Sequence, residues 1–311
     1  MTSSRSRLRV PPAFSALQSG PEWTQWLGRL PSLATESLDR WDLTVAGEPI
    51  HGFASLVLPV DRLDGSAAML KLQQVDYETA GEPLALRAWA GGPVVDLLEY
   101  DQESGTLLLE KLDPTKTLEG IPDSIEAITK LSELIRELSA VAPPAGLRRL
   151  AGVAQGLLER SPGTEELISD SSERSLLRSC VSALKDVMDE PRDKLLHWDL
   201  HYANVLAPLP GSKRKEPWIV IDPKPLVGDP GFELMPGLCN RWGDITSSTN
   251  IQAAVKYRFD LMTEVVGVDR GRAQAWTLAR VLQNAIWATE DGSTCIPPVQ
   301  STIARALLNR L

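Results

Sequence analysis

The sequence predicts an α+β chain of two lobes: a small one built on an antiparallel five-stranded sheet with one helix, and a larger one that is mostly helical. Three observations predict it. Strand-like alternation recurs through the first third of the chain. Helical spacing replaces it from about Leu112. A polar, histidine-bearing stretch, residues 195–222, then interrupts the helices with loop and strand signals. The expected lobes are residues 1–111 and 112–311.

Residues 1–11 carry Arg5, Arg7 and Arg9 among serines and lack the apolar core of a secretory signal, so they read as a frayed start. Strands are expected at 41–45, 54–60 and 67–72, with Asp64-Gly65 turning between the last two. Residues 77–89 read as a helix ended by Gly91-Gly92-Pro93. A hairpin of 94–100 and 106–111 around Glu103-Ser104-Gly105 completes the sheet. Helices follow at 121–141, 147–158 and 165–188, with Pro143-Pro144 separating the first two. They resume at 251–266, 270–288 and 299–308. No internal repeat or low-complexity segment is seen, and the basic tip Lys213-Arg214-Lys215 reads as a solvated hairpin end.

With 311 residues, 43% of them hydrophobic, the chain is long enough to bury a sizeable core. Its 41 acids against 32 bases leave a formal charge of -9, which argues against a general nucleic-acid partner and tolerates a cationic substrate. Cys180, Cys239 and Cys295 are far apart and odd in number, unlike a thiolate metal site, and suit a reducing cytoplasm. No apolar run approaches the ~18 residues of a membrane span, so no membrane partner is expected. A monomer or weak homodimer is the expected state.

The chemistry concentrates in His197-Trp198-Asp199-Leu200-His201-Tyr202-Ala203-Asn204, followed by Trp218-Ile219-Val220-Ile221-Asp222-Pro223. An Asp and an Asn five residues apart on a tight loop place a carboxylate beside an acceptor hydroxyl and an amide oxygen on a Mg²⁺. A second Asp at a strand end supplies the other metal carboxylate. The segment therefore reads as a phosphotransferase site. Its His-x-Asp-x-His string also suits a zinc hydrolase, but the third histidine, His51, is remote in sequence and that reading leaves Asn204 unexplained.

Taken with Met69-Leu70-Lys71, Leu107-Leu108-Leu109-Glu110, Ile221-Asp222-Pro223-Lys224 and Val227-Gly228-Asp229-Pro230, this segment resembles the aminoglycoside-phosphotransferase branch of the protein-kinase-like fold. It is most similar to the aminoglycoside/hydroxyurea kinase family, over residues 41–291. The resemblance implies that Asp199 is the catalytic base, that Asn204 and Asp222 hold Mg²⁺, and that His197 buttresses the loop. It implies that Lys71 meets the α and β phosphates of ATP, held by a glutamate of the following helix. Glu78 and Glu82 lie one helical turn apart, and the family pattern favours Glu82. Backbone groups of Glu110 to Leu112 would hold adenine, and the turn at Gly52 would cover the phosphates unless it is a plain hairpin. Asp222 is followed by Pro223-Lys224 rather than Phe-Gly, so no phosphorylation-controlled activation loop is implied.

Acceptor recognition is expected from Asp229, Glu233, Trp276, Asn284 and Trp287. Trp276 and Trp287 stand eleven residues apart and share a helix face, available for core packing or for stacking on a sugar or cation. Lys224 is left open between contact with phosphate or acceptor and an ion pair with Asp229 or Glu233. The implied activity is ATP- and Mg²⁺-dependent transfer of phosphate to a hydroxyl of a small, cationic, polyhydroxylated molecule such as an aminoglycoside, aminocyclitol or amino sugar. A nucleotide-binding regulatory pseudokinase is the alternative.

Overall fold

Antiparallel pairing gathers six strands into one sheet: β1 (Thr44–Val45), β2 (Ile50–His51), β3 (Ser55–Asp61), β4 (Ala67–Gln73), β5 (Leu97–Asp101) and β6 (Thr106–Glu110). Their order is β1-β3-β4-β6-β5, with β2 added on β3. The five expected strands form that path, and β2 is a short addition made by the hairpin at Gly52. This computed structural model describes residues 10–308, so Arg5, Arg7 and Arg9 lie outside the described residues.

The register sorts the side chains by face. Leu58, Leu70 and Leu108 stand opposite one another on one face, while Val57, Lys71 and Leu107 share the other. Two N-terminal helices, α1 (Pro12–Ser15) and α2 (Pro21–Arg40), cover the leucine face. Phe14, Trp23, Leu30, Leu33 and Ala34 pack there with Leu56, Leu58, Leu70 and Leu72. The single helix expected in this lobe is thus an undercount. The buried positions of α2 keep helical spacing, but Pro31 lies inside it and, lacking an N–H, masks the pattern as a break.

The expected helix at 77–89 begins only at Glu82, as α3 (Glu82–Ala88). Before it, the Asp76 carboxylate accepts from the N–H groups of Glu78 and Thr79 and holds a turn. Pro83 then falls in the first helical turn, where its missing donor costs nothing.

Beyond Glu110 come β7 (Leu112–Thr117), α4 (Ser124–Ser139), α5 (Leu150–Leu167), α6 (Ser171–Val187), β8 (Lys194–Leu196), β9 (Val205–Pro208), β10 (Ile219–Val220) and β11 (Leu226–Gly228). The chain ends in α7 (Leu234–Cys239), α8 (Trp242–Thr246), α9 (Ile251–Val266), α10 (Arg270–Glu290) and α11 (Pro298–Leu308). Asp123, Asp170, Asn250 and Asp269 cap α4, α6, α9 and α10 through their side chains. The gap expected at 159–164 is absent. There α5 runs through Pro162, with Leu157, Ser161 and Thr164 buried, and the break falls instead at the Asp170 cap.

Two small sheets carry the polar segment: β10-β9-β7 and β11-β8. A parallel bridge between Val94 and Val220 joins the first of these to the segment leading into β5. Underneath runs α10, whose Trp276, Leu278, Val281, Leu282, Ala285 and Ile286 are all buried.

Candidate active site

The expected site side chains Lys71, Glu82, Asp199, Asn204 and Asp222 lie on β4, on α3 and on two loops. One loop follows β8 and carries His197 to Asn204, and the other links β10 to β11 and carries Asp222 to Lys224. Cross-bonds tie the two together: Lys224 N–H donates to the His197 carbonyl at 3.0 Å, and Ile221 N–H to the Asn204 carbonyl at 2.9 Å. The loops bend through two non-glycine residues in the left-handed region, Trp198 at φ 65° and Asp222 at φ 59°. Such conformations persist only where the surroundings impose them.

At Trp198 the imposing group is Glu233. Its carboxylate, fully buried, accepts the Trp198 N–H. Burial pushes the Glu233 carboxyl up to about 7, against the backbone N–H groups of Trp198 and His197. His197 supports the next residue: its Nδ1 accepts the Asp199 N–H at 3.2 Å, while Nε2 donates to the Ile221 carbonyl at 3.0 Å. Burial lowers this ring to about 4, keeping the imidazole neutral. With both nitrogens occupied, His197 has no lone pair left for a zinc ion.

Asn204 spends its Nδ2 on the Asp199 carbonyl at 3.0 Å. That bond orients the amide and leaves Oδ1, the hard donor, for a cation. Across from it, Lys71 Nζ lies 2.8 Å from both Glu82 oxygens and 2.6 Å from Asp222 Oδ1. Glu82 is fully buried and Lys71 nearly so, whereas the Asp222 side chain is 46% exposed and so open to a ligand. Burial opposes the Lys71 charge, but Asp222 and Glu82 outweigh it and raise the ammonium above its ordinary range. Lys71 in turn holds Asp222 below the usual carboxylate range. The two glutamates separate cleanly, since Glu78 lies 3.6 Å from Lys224 instead.

The Asp199 carboxylate meets Lys224, Oδ2 to Nζ at 3.3 Å, so Lys224 pairs with neither Asp229 nor Glu233. Those two acids, expected at the acceptor, belong to the scaffold. Asp229 caps the turn at Pro230–Glu233 by accepting from Gly231 N–H at 2.8 Å, and it pairs with Arg272. That turn packs so tightly on α10 that a Cβ on Gly231 would stand 2.8 Å from the Ala273 Cα. Trp276 is likewise in the core, edge-on to Phe232 at 5.9 Å between ring centres. Asn284 and Trp287 are half-buried on α10. On the sheet, Gly52 donates its N–H to the Ser55 carbonyl at 3.0 Å in the turn of the β2–β3 hairpin, beside an exposed Phe53.

A lysine-glutamate pair feeding a strand-end aspartate, opposite an aspartate-asparagine loop, is an arrangement suited to phosphoryl transfer. Known proteins agree. The family model for the aminoglycoside/hydroxyurea antibiotic resistance kinases matches residues 40–292. The chain belongs to that family. It is 47% identical over 288 residues to a streptomycin 6-kinase of Streptomyces glaucescens, covering 93% of this chain and 92% of the relative. It is 49% identical over 295 residues to a hydroxyurea phosphotransferase of Kitasatospora aureofaciens, covering 94% and 82%. Among solved structures, a macrolide 2'-phosphotransferase from Brachybacterium faecium aligns over 91% of this chain and 99% of its own, with a TM-score of 0.55 at 17% identity. An ethanolamine kinase of Plasmodium vivax aligns over 94% and 91% at a TM-score of 0.56. Both have this fold.

This kinase also places three arginines that local spacing gave no reason to single out. The Arg148 guanidinium stacks 3.8 Å from the Trp198 ring, and Arg280 lies 5.5 Å from that ring and 5.1 Å from Phe232. Burial lowers both to about 10, and each keeps one buried nitrogen without a protein partner, Arg148 Nη1 and Arg280 Nε. Arg214, expected in a solvated tip, folds back onto Glu110. Among the described residues no helix is long and apolar enough to cross a membrane.

Proposed function

We propose that this kinase transfers the γ-phosphoryl group of ATP to a hydroxyl of streptomycin or a similar aminocyclitol, with Asp199 as base and residues 1–111 and 112–311 as the two lobes around the nucleotide. The observation that carries the reading is that Lys71 joins Glu82 to Asp222, on a loop bonded to the one that bears Asp199 and Asn204. Lys71 would bind the α and β phosphates and backbone groups of Glu110 to Leu112 the adenine, with the Gly52 hairpin above. Asp222 and the Asn204 Oδ1 would hold Mg²⁺, which when bound neutralises charge on the phosphates. Asp199 receives the hydroxyl proton as the oxygen–phosphorus bond forms and the bond to the departing ADP breaks. Little base strength is needed, and what the loop supplies is orientation.

The acceptor's class rests on the relatives, a streptomycin 6-kinase and a hydroxyurea phosphotransferase. Asp229 and Glu233 lend no support to a cation-binding wall, because both are buried in the scaffold, Asp229 against Arg272 and Glu233 against the Trp198 N–H. Asn284 and Trp287 stay in the proposal as acceptor contacts. A cytoplasmic setting, where ATP is available, fits the three free thiols. The test is ATP turnover, followed as ADP release and as the mass of the phosphorylated product, over streptomycin, other aminocyclitols and hydroxyurea. Mg²⁺-dependent phosphorylation of streptomycin is expected. Phosphorylation of hydroxyurea alone would replace the acceptor, and nucleotide binding without turnover of any acceptor would leave the pseudokinase reading in its place.

A further inference from the structure

The basic tip between β9 and β10 is not uniformly solvated. Lys213 and Lys215 are exposed, but the Arg214 side chain is only 10% exposed. Its Nη1 donates to the Gly92 carbonyl at 3.1 Å and its Nη2 to the Val94 carbonyl at 2.8 Å. Nη2 also donates to Glu110 Oε2 at 2.7 Å, and Nε lies 3.2 Å from both Glu110 oxygens. Asp96 Oδ1 stands 2.9 Å from Nη2, and Glu216 closes the set at 3.9 Å.

Each end of this grip is informative. Glu110 is the last residue of β6 and is bonded to Asp96 in both directions, by Glu110 N–H to the Asp96 carbonyl at 3.0 Å and by Asp96 N–H to Glu110 Oε2 at 3.3 Å. After it come Lys111 and Leu112, the segment proposed to hold adenine. On the other side, the loop bearing Arg214 is continuous through β9 with Asn204 and through β10 with Asp222. One guanidinium therefore ties the adenine segment to the loop that joins the two proposed metal ligands. Its planar fork matches the Glu110 carboxylate in two places, a geometry a lysine cannot supply.

We propose that Arg214 is a positioning residue for the nucleotide, setting the distance between the adenine-holding backbone and the Mg²⁺-phosphate site. It deepens the kinase reading and rests on it. Loss of the side chain would free Glu110 and Asp96, two carboxylates left facing each other without a cation, and let the segment drift relative to β9 and β10. The full-length protein with Arg214→Ala should bind Mg-ADP on the order of tenfold more weakly by calorimetry, as expected when a positioning contact is lost at a distance from the chemistry. The KM for the acceptor should stay within about twofold. Arg214→Lys should keep most of the deficit, and millimolar guanidinium should restore Mg-ADP affinity to the alanine variant but not to the lysine one. A merely structural role would move Mg-ADP affinity and the acceptor KM together and would not respond to guanidinium.

Should Arg214→Ala fail to fold, Glu110→Gln and Asp96→Asn weaken the same grip one partner at a time and must each reduce Mg-ADP affinity. Wild-type-like Mg-ADP affinity in the folded variants overturns the proposal. Absence of nucleotide binding and turnover in the wild type would instead overturn the kinase reading beneath it.

Discussion

The loop bearing Asp199 and the Gly52 hairpin differ in how firmly they are held. On the loop, His197, Trp198, Leu200, Tyr202, Asn204 and Val205 are buried, and the backbone is fixed by His197, Glu233 and Asn204. Tyr202 adds a bond from its hydroxyl to the Gly237 carbonyl at 3.1 Å. On the hairpin, Ile50 is 53% exposed and Phe53 70% exposed. Among the described residues its ties beyond β3 include a bond from Gln18 Nε2 to the Phe53 carbonyl at 3.0 Å, one from Gln74 N–H to the Ala54 carbonyl at 3.3 Å and a ring contact between Phe14 and His51. The difference follows the demands of the reaction. Under the proposed mechanism, in-line transfer needs Asp199, Asn204 and Asp222 fixed before the substrates arrive, while a hairpin covering the phosphates would have to open to admit and release nucleotide.

The largest effect should come from the rigid side. Asp199→Ala is expected to leave folding and Mg-ADP binding intact and to lower kcat at least ~10²-fold, the lower end of a general-base contribution. The carboxylate is a third exposed and its neighbours are held by other bonds, so its loss should not release the loop. Single-turnover kinetics with a confirmed acceptor checks this, and wild-type transfer by the variant would remove Asp199 from its role. The metal pair should rank next. Asp222→Ala should weaken Mg-ATP binding more than Asn204→Ala does, because a carboxylate neutralises cation charge and an amide only donates a lone pair. Equal or absent losses by calorimetry would contradict the assignment.

The rigid side should also show a pH signature of moderate size. For Glu233 the folded value, about 7, exceeds its ordinary 4.5, so the folded state binds the extra proton and stability falls as pH rises through that window. For His197 the folded value, about 4, lies below its ordinary 6.5, so the unfolded state binds the extra proton and stability falls as pH drops through that window. The two slopes oppose each other between pH 4.5 and 6.5. Glu233→Gln removes the glutamate slope and leaves the histidine one. Denaturant unfolding should then show the variant losing, relative to wild type, on the order of 3 kcal/mol as pH falls from 7 to 4.5. A constant difference across that range would show that Glu233 does not titrate as its burial requires.

The same contrast explains what could be read from the chain. Asp199 and Asn204 were legible because their relation is set by five residues of local geometry, and Asp222 because it ends an apolar strand. Lys71 was legible as a charge inside a buried strand, which demands a partner, and Glu82 was separable from Glu78 only on the family pattern. Asp229 and Glu233 looked like acceptor acids because they sit near Asp222 in sequence. Their partners, Arg272 and the Trp198 N–H, lie 43 and 35 residues away and leave no local trace. Arg214 and Glu110 are 104 residues apart, and a basic tripeptide is ordinarily a solvated tip, so that pair was invisible as well. The missed helix α2 did carry helical spacing at Trp23, Leu30, Leu33 and Ala34, but Pro31 concealed it.

The smallest effect should come from the exposed side, and it sharpens the comparison by separating stability from function. Phe53 is 70% exposed and its ring has little protein to leave, so Phe53→Ala should change unfolding free energy by no more than about 0.5 kcal/mol. If the hairpin closes over the nucleotide, the same ring gains a surface to cover only in the bound state, and its loss should raise the KM for ATP a few-fold while kcat holds. Hydrogen exchange offers a check that needs no acceptor. The Gly52 amide, bonded to the Ser55 carbonyl in an exposed turn, should exchange through local opening and slow when Mg-ADP is added, whereas the buried Asn204 amide should be protected in both states. Equal protection of the two amides without nucleotide would mean that the hairpin is as firmly held as the catalytic loop, and the division of labour between them would fail.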